Sequence, residues 1–488
     1  MRGKHDGRMI GVKNTHEYKD ALNAVLQVQD SLLRQYIHPD SKKIPQQFVP
    51  YKEVLDVYRA GLEVPDHITL VWPDDNFGYI RHFPDEKERK RTGGNGVYYH
   101  TSYWGEPHDF LWLGIVQPSL MYQQMKTAYD RNMRKIWVLN VGDIKPSEYL
   151  TEFFLDMAWD INLSGCKSGS GVVFSHLGNW LNQTFGKKTG KELLPLMKDF
   201  YLLSHIRKPE FMGNTRTYDK RHEQIADLPW STEEINERLE QFKKLSDRVE
   251  KLYATVPSNR KDAYFEMIQY PVQASNEMNK KMLYAQFARH TPSDSASLWK
   301  KSDAAYDSIV SLTRRFNFLL DGKWNHIIST APRGLIVFDK VKRTVSSTAL
   351  VSSPAPLQLW NGTEHDAVTG QHTVIDGLGH SGKAIYLGKG GTVEYEYRNF
   401  RKDSLTVEVC LVPTHAVEGG KLRFAVSTDD REPQVFDCET AEYSEEWKVN
   451  ILRAQAIKTA RFPSGSRKGR IKITALDEGV VIDQIRLR

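Results

Sequence analysis

The sequence predicts a multidomain chain that joins an α/β region, an all-α region and an all-β region. Short apolar runs followed directly by polar residues mark the first part, amphipathic helices the middle, and alternating strands split by Gly, Asp and Asn turns the last part. On a prior of roughly 150 residues per domain, 488 residues suggest two or three domains. We expect a partial barrel at 1–160, a helical domain at 161–341, a linker at 342–357 and a β-sandwich at 358–488.

In the first region the sequence predicts parallel strands separated by helices. The strands are predicted at residues 46–50, 68–72, 96–100 and 135–141, with intervening helices at 52–60 and 119–132. A closed (β/α)8 barrel takes eight strands, and a parallel sheet requires cover on both faces. We therefore expect the C-terminal half of a (β/α)8 barrel, whose other strands come from sequence absent here or from another chain.

The middle and the end of the chain differ in periodicity. Ser231 followed by Glu234 predicts a capping box at the start of a helix that Pro257 terminates. Alternating patterns predict sandwich strands at residues 391–397, 404–411, 421–427, 447–452, 469–475 and 480–487. GKGG at residues 388–391 is typical of a turn between strands.

Composition excludes several classes of function. The net charge of +6, from 67 basic and 61 acidic residues, predicts no nucleic-acid partner. No apolar run reaches the roughly 18 residues of a membrane span, and the first residues lack the apolar core of a signal peptide. The three cysteines show no paired metal-ligand spacing, and neither a serine-hydrolase elbow, a Walker loop nor a zinc-protease motif occurs. We expect no metal and no other cofactor.

Polar side chains follow the predicted strands at the point where each strand ends. In a (β/α)8 barrel the carboxyl ends of the strands carry the chemistry. The residues that we expect to converge there on one cleft are Asp74, Asp75, His100, Asp143, Lys145 and Glu148.

Long motifs of the chain resemble glycoside hydrolase family 115, the α-glucuronidases. They are RGKHDGRM at 2–9, the run from VPYKEV to YIRHFP at 49–84, RTGGNGVYYHTSYWGEPHDFLWL at 91–113, the run from RKIWVLNVGDIKP to LDMAWD at 134–160, and HIRKPEFMG at 205–213. The resemblance implies an N-terminal domain, a (β/α)8 catalytic domain, a helical domain and a C-terminal β-sandwich. By comparison, this chain lacks the N-terminal domain and the first barrel strands.

The resemblance also implies a reaction. Family members remove glucuronic acid or 4-O-methylglucuronic acid from glucuronoxylan side chains, with inversion and without a metal. Inversion requires a protonated carboxyl group and a second carboxylate roughly 6.5 to 9.5 Å away that activates water. We expect Glu148 and Asp75 to form this pair with Asp74 in support, and which is acid and which is base stays open. Asp74 and Asp75 could instead form a turn, and Glu148 could be an ordinary first-turn helix residue.

Further residues are candidates for contact with substrate. Lys145 would suit the uronic acid carboxylate or be a surface lysine, and His100, Tyr103 and Trp104 would stack on a pyranose or pack the barrel top. Asn140 and Asp143 would orient Lys145 or Glu148. His108 and Asp109 are weaker candidates. Lys52 is another, although it could simply pair with Glu53. The resemblance implies further contacts from the terminal residues Arg2, His5 and Asp6.

Two classes of function follow from these observations. The first is an exo-acting glycosidase that acts on a polysaccharide or oligosaccharide. We expect the intact parent protein to be secreted or periplasmic, although the sequence analysis finds no signal peptide in this chain. The second is an inactive remnant that serves as a carbohydrate-binding or interaction protein. The sandwich could bind carbohydrate or act in packing or dimerisation, so a homodimer is one alternative.

Overall fold

The structure is a computed structural model. It describes residues 9–217, 225–346, 350, 355–398, 404–429, 431–463 and 467–488. Arg2, His5 and Asp6, which the sequence analysis proposes as substrate contacts, lie outside the described residues.

A four-stranded parallel sheet organises the first part of the chain. Its strands run in the spatial order β1-β2-β3-β4, and each lies within or next to a predicted run, which confirms these strands. All five residues of β2 are buried, as expected of a parallel strand covered on both faces. The elements are α1 Thr15–Tyr36, β1 Gln47–Phe48, α2 Glu53–Arg59, β2 Thr69–Pro73, α3 Glu86–Arg89, β3 Asn95–His100, α4 Pro118–Asp130, β4 Trp137–Asn140 and α5 Glu148–Trp159.

The middle of the chain is helical. Its elements are α6 Val172–Phe185, α7 Lys187–Ile206, α8 Thr232–Tyr253, α9 Lys261–Tyr264, α10 Tyr270–His290, α11 Ser295–Asn317 and α12 Leu319–Gly322. A π-helical turn, Phe265–Gln269, joins α9 to α10. The capping box of Ser231 and Glu234 is confirmed at the start of α8. No described helix combines the length and the apolar content that a bilayer crossing requires.

The last part of the chain forms two facing antiparallel sheets. One has the order β13-β10-β15-β8-β7, with β5 also paired to β15, and the other has the order β12-β11-β14-β9-β6. The elements are β5 Gln358–Asn361, β6 Ala367–Thr369, β7 His372–Asp376, β8 Lys383–Leu387, β9 Thr392–Tyr397, β10 Ser404–Leu411, β11 Arg423–Thr428, β12 Gln434–Asp437, α13 Glu445–Arg453, β13 Ala456–Pro463, β14 Gly469–Ala475 and β15 Val480–Leu487.

The predicted strand at residues 447–452 is wrong, because these residues belong to α13. Ser444 caps this helix by accepting a hydrogen bond from the Trp447 N–H, and two glutamates occupy its first turn. Trp447 and Ile451 are four residues apart and both buried, which is the spacing of a helix face.

The C-terminal part has its own core but is also joined to the rest of the chain. Inner-face residues of both sheets form one apolar cluster, whereas Trp447, Ile451 and Leu452 belong to the cluster that includes the parallel sheet and the helical part. Arg207 at the end of α7 donates a hydrogen bond of 2.7 Å to the Leu452 carbonyl. Helix α13 therefore connects the sandwich to the parallel sheet.

Replacing the cap of α8 tests the helical assignment. We expect Ser231→Ala to lower the free energy of unfolding by about 1 kcal/mol, because the Glu234 N–H loses its acceptor. Urea denaturation followed by circular dichroism measures the change. Ser308→Ala is the matched control, since Ser308 is half-buried in the middle of α11 and its hydroxyl donates to the Ala304 carbonyl, away from any helix cap. Equal midpoints for the two variants would contradict the role of the cap.

Candidate functional site

A cavity of about 1020 Å³ lies next to the parallel sheet, along β1 and past the ends of β3 and β4, and it also reaches Pro65 and Ile68 before β2. Its wall also includes Leu22, Val25 and Leu26 of α1. The cavity is large enough for a sugar ring with neighbouring residues. The sequence-predicted residues that line it are Lys52, His100, Tyr103, Trp104, Asn140 and Asp143.

His100, at the end of β3, is held by the carboxylate of Asp74. The Nδ1 of His100 lies 2.5 Å from Asp74 Oδ1, and the His100 backbone N–H donates to Oδ2. Two further N–H groups, of Asn76 and Gly78, also donate to Asp74. Burial raises the pKa of Asp74, and His100 partly offsets this rise. Asp74 therefore orients an imidazole on the cavity wall without lining the cavity itself.

Asp75 is fully buried and turned toward the C-terminal part of the chain. Its Oδ1 accepts hydrogen bonds from the N–H groups of Phe77 and Tyr79, and its Oδ2 accepts one of 3.0 Å from Trp447 Nε1. His415 Nε2 lies 3.6 Å from the same Oδ2. Asp75 is not among the cavity-lining residues, and its contacts are those of a carboxylate that fixes α13 against the sheet.

An aromatic cluster surrounds Lys52 on the cavity wall. The Lys52 ammonium lies 5.0 Å from the ring centroid of Tyr51 and 5.3 Å from that of Tyr103. The Tyr51 ring stacks on His100, and its hydroxyl donates to Asn76 Oδ1 at 2.6 Å. Nearby, Asn140 Nδ2 donates to the Tyr98 hydroxyl. Rings in this arrangement fix the ammonium by cation–π attraction.

Two acidic residues of the loops after β3 and β4 lie at or beside the cavity, besides Asp30 of α1, which also lines it. Asp143 follows β4 and lines the cavity, and partial burial raises its pKa. Glu106 follows the lining residues Trp104 and Gly105, and its Oε2 lies 3.0 Å from the ammonium of Lys448 in α13. These groups supply acidic side chains from loops after two different strands.

A second charged cluster joins the loop before α5 to the helical part of the chain. The Lys145 ammonium pairs with Glu148 at 2.8 Å and with Glu266 in the π-helical turn, and it lies 4.5 Å from the Trp324 ring centroid. Burial, together with the hydrogen bond and charge of Glu148, raises the pKa of Glu266 to about 8. Burial would lower the pKa of Lys145, but its two carboxylate partners raise it. Neither Lys145 nor Glu148 is among the cavity-lining residues.

His108 and Asp109 hold their loop against the helical part. His108 Nε2 lies 3.0 Å from Thr215 Oγ1, and Asp109 pairs with Arg333 at 2.7 Å. Both residues are buried, and neither lines the cavity. The Arg333 guanidinium in turn lies 4.7 Å from the ring centroid of Trp104, which is 64% exposed. The two residues thus support the loop that carries Trp104.

The comparisons with known proteins agree on one family. The model of glycosyl hydrolase family 115 matches residues 1–211, and the model of the family 115 C-terminal domain matches residues 364–488. The solved structure described as a novel family GH115 4-O-methyl-α-glucuronidase, BtGH115A, with specificity for decorated arabinogalactans, is 49% identical with a TM-score of 0.95. The match covers 100% of this chain and 63% of that protein's length. This chain belongs to glycoside hydrolase family 115.

Other solved structures match a smaller share of this family 115 chain. An exo-β-1,3-galactanase from Phanerochaete chrysosporium is 16% identical, covers 28% of this chain and 30% of its own, and has a TM-score of 0.22. The C-terminal CBM6 of LamC from Zobellia galactanivorans is 12% identical, covers 27% of this chain and 97% of its own, and has a TM-score of 0.21. These scores are too low to carry an argument. The comparison with curated proteins found no match.

The predicted site of this family 115 chain separates into three groups. His100 and Asp143 line the cavity, whereas Lys145 and Glu148 form a separate cluster and Asp75 faces α13. The expectation that all six strand-end residues converge on one cleft is therefore not met. Alternation of side chains about β2 turns successive carboxylates to different surroundings. The catalytic roles of Glu148, Asp75 and Asp74 stay predictions.

The sequence analysis missed several residues around the cavity and the Lys145 cluster. Tyr51 precedes Lys52, and Glu106 follows Trp104, so proximity to predicted residues was a usable signal for both. Glu266 and Trp324 reach Lys145 from more than a hundred positions away along the chain. No local pattern in the sequence points to that contact.

Replacing one carboxylate oxygen of Asp75, which accepts hydrogen bonds, tests whether this residue fixes α13 against the sheet. We expect Asp75→Asn to lower the free energy of unfolding by about 1–3 kcal/mol, because an amide N–H₂ then faces an N–H donor. Urea unfolding measures the loss, and a cycle with Trp447→Phe isolates the contact with α13. Asp130→Asn, at an exposed pair with Lys126, is the control. An Asp75→Asn variant with unchanged stability and lost activity would instead support the predicted catalytic role.

The Lys145 cluster predicts a pH dependence of stability. The folded-state pKa of Glu266, about 8, lies above its ordinary value, so its contribution to stability is complete at low pH and is lost as pH rises through about 8. The glutamine of the Glu266→Gln variant stays neutral at every pH. We therefore expect the melting temperature of the variant minus that of the unsubstituted chain to increase between pH 6 and about pH 9. Thermal unfolding at both pH values measures this, with the exposed Glu240→Gln as control. A difference independent of pH would contradict the assignment.

Proposed function

We propose that this chain is part of an exo-acting glycoside hydrolase that removes glucuronic acid or 4-O-methylglucuronic acid from the side chains of a plant polysaccharide. The single observation that carries the proposal is the cavity along β1 and past the ends of β3 and β4, in a chain of family 115. Its aromatic and charged wall suits a sugar acid. Because such a polymer is too large to enter a cell, we expect the enzyme to be secreted or periplasmic.

The parallel sheet fits the C-terminal half of a (β/α)8 barrel. The strands are parallel and sequential in space, helices α2, α4 and α5 connect or follow them, and the cavity extends past the carboxyl ends of β3 and β4. Active sites of (β/α)8 barrels lie at that end. This architecture supports the same position for the reaction here.

For the reaction we propose an inverting mechanism with two carboxyl groups. Asp143 suits the general acid, because it lines the cavity and partial desolvation raises its pKa, although the residue is exposed. Glu148 stays the predicted second carboxylate, held beside Lys145. Asp74 would act through His100, which it orients toward hydrogen bonding with substrate. Asp75 would then hold α13 in place.

Two polysaccharides are candidate substrates. Glucuronoxylan is the substrate that the sequence analysis predicts, and decorated arabinogalactan is the specificity printed for BtGH115A. Release of the uronic acid from each polymer by the full-length protein, followed by chromatography, distinguishes the two candidates. Proton spectra recorded during the first turnover show whether the released sugar has the inverted anomeric configuration.

Substitution of the carboxyl groups tests the mechanism. We expect Asp143→Asn and Glu148→Gln each to lower kcat by about 10²- to 10⁴-fold, because each removes a proton donor or acceptor. Asp130→Asn, on the exposed face of α4, is the control and should retain activity. Full activity of Asp143→Asn would remove it from the mechanism. A folded full-length protein that binds these glycans but releases no uronic acid would favour the alternative of a carbohydrate-binding protein.

A further inference from the structure

We propose that the exposed ring of Trp104 is a stacking platform for a neutral sugar of the polysaccharide main chain, and that Arg333 positions this ring. The assignment rests on the proposed function, because it requires that the uronic acid enters the cavity while the main chain stays at its edge. The sequence analysis predicted only that Trp104 stacks on a pyranose. Here we assign which sugar meets the ring and which distant residue holds it.

Exposure distinguishes Trp104 from the other aromatic residues that line the cavity. Phe48 and Tyr103 are buried and Tyr51 and Tyr98 are half-buried, whereas Trp104 is 64% exposed. When an exo-acting enzyme removes a side-chain sugar, only that sugar has to enter the cavity, and the main chain remains on the solvent side. Trp104 is the aromatic lining residue that faces this side. A sugar stacked there would remove apolar ring surface from water, which is favourable.

Arg333 covers one side of the Trp104 ring. Its guanidinium lies 4.7 Å from the ring centroid and pairs at 2.7 Å with the carboxylate of Asp109, whose side chain is only 1% exposed. The buried carboxylate fixes the guanidinium through a charge-assisted hydrogen bond, and cation–π attraction keeps the indole against it. The exposed surface of the indole therefore lies away from Arg333, where a pyranose can stack on it.

Asp109 is itself fixed by the helical part of the chain. The Asp109 N–H donates to Thr217 Oγ1, and the Thr217 hydroxyl lies 3.3 Å from Asp109 Oδ1. The Thr217 N–H donates to the Pro107 carbonyl at 3.0 Å. Burial raises the pKa of Asp109, and the charge of Arg333 partly offsets this rise. The carboxylate and the guanidinium thus depend on each other, and the position of Arg333 is set from within the fold.

The loop that carries Trp104 is closed at its base and held from the C-terminal part. Tyr103 and Phe110 exchange two backbone hydrogen bonds, of 3.0 and 2.9 Å. Glu106 pairs at 3.0 Å with Lys448 of α13. A ring that is held in place before the ligand arrives loses less conformational entropy on binding. These contacts therefore favour a preformed platform.

A neutral sugar suits this surface. Stacking on an indole uses the C–H groups of a pyranose and requires no charge on the sugar. The main-chain sugars of the two candidate polysaccharides, xylose and galactose, are neutral. Because the Arg333 guanidinium pairs with Asp109 on one side of the ring, the platform offers its ligand an aromatic surface and no unbalanced acid. We therefore assign the platform to the main chain and the cavity to the uronic acid.

Binding of oligosaccharides that lack uronic acid gives the first test. By calorimetry we expect a linear xylo-oligosaccharide or a linear galacto-oligosaccharide to bind the full-length protein, and the one that binds identifies the main chain. Trp104→Ala should weaken this binding by about two- to ten-fold, the range for an aromatic contact, and Trp104→Phe should retain part of it. Trp159→Ala is the matched control, since Trp159 is 94% exposed on α5 and does not line the cavity. Failure of both oligosaccharides to bind, or an unchanged affinity in Trp104→Ala, would overturn the platform.

Turnover of the polysaccharide tests the positioning role of Arg333. We expect Arg333→Met and Trp104→Ala each to raise KM by about two- to ten-fold with little change in kcat or in inhibition by free glucuronic acid. Arg333→Lys, which keeps the cation, should restore part of the loss. Because Arg333 acts through the ring, the double variant should be no weaker than Trp104→Ala alone. Arg343→Met, at an exposed pair with Asp303, is the control. Additive losses, or a lowered kcat with unchanged KM, would overturn the positioning role.

The outcomes separate the platform from the proposed function. Binding of a linear oligosaccharide that depends on Trp104, without release of uronic acid from either polysaccharide, would overturn the proposed function and support the platform. Release of uronic acid with an unchanged KM for the polysaccharide in Trp104→Ala would support the proposed function and overturn the platform. Absence of both binding and release would overturn the two together.

Discussion

Two adjacent carboxylates at the end of β2 are removed from water, and each must be compensated by hydrogen bonds. Asp74 receives them from the turn after β2 and from His100, whereas Asp75 receives them from the next residues of that turn and from Trp447. One carboxylate thereby orients a side chain of the cavity and the other fixes the C-terminal part. The turn after β2 therefore connects the position of His100 on the cavity wall to the packing of α13 against the sheet.

The surroundings of two lysines, Lys145 and Lys52, are a second constraint on the structure. Lys145 is shared by Glu148 and Glu266, which joins the loop before α5 to the helical part. Lys52 is instead placed over two aromatic rings on the cavity wall. Both lysines follow strands of the same sheet, yet their surroundings differ. The Lys145 ammonium lies between two acidic side chains, whereas the Lys52 ammonium lies near two aromatic rings.

Local patterns predicted much of the fold and part of the site. The predicted strands at 96–100 and 135–141 became β3 and β4, since short apolar runs are typical of parallel strands. Five of the six β3 residues are buried, whereas all four residues of β4 are half-buried. Residues 447–452 were misassigned because alternation in a short segment also fits one face of a helix, and the cap at Ser444 decided the outcome. The direction of Asp75 and the contact with Glu266 depend on distant segments, which spacing along the chain does not encode.

The C-terminal part lies close to residues that line the cavity or support its wall. Burial raises the pKa of Tyr443, just before α13, and the neighbouring Glu442 and Tyr103 add to this rise. Glu442 also lies within electrostatic range of Lys52. Lys448 in α13 pairs with Glu106 in the loop that carries Trp104. Because Tyr103 and Lys52 line the cavity, a shift of α13 would move the surfaces that contact a sugar. The residues at and before α13 therefore support the wall of the cavity from behind.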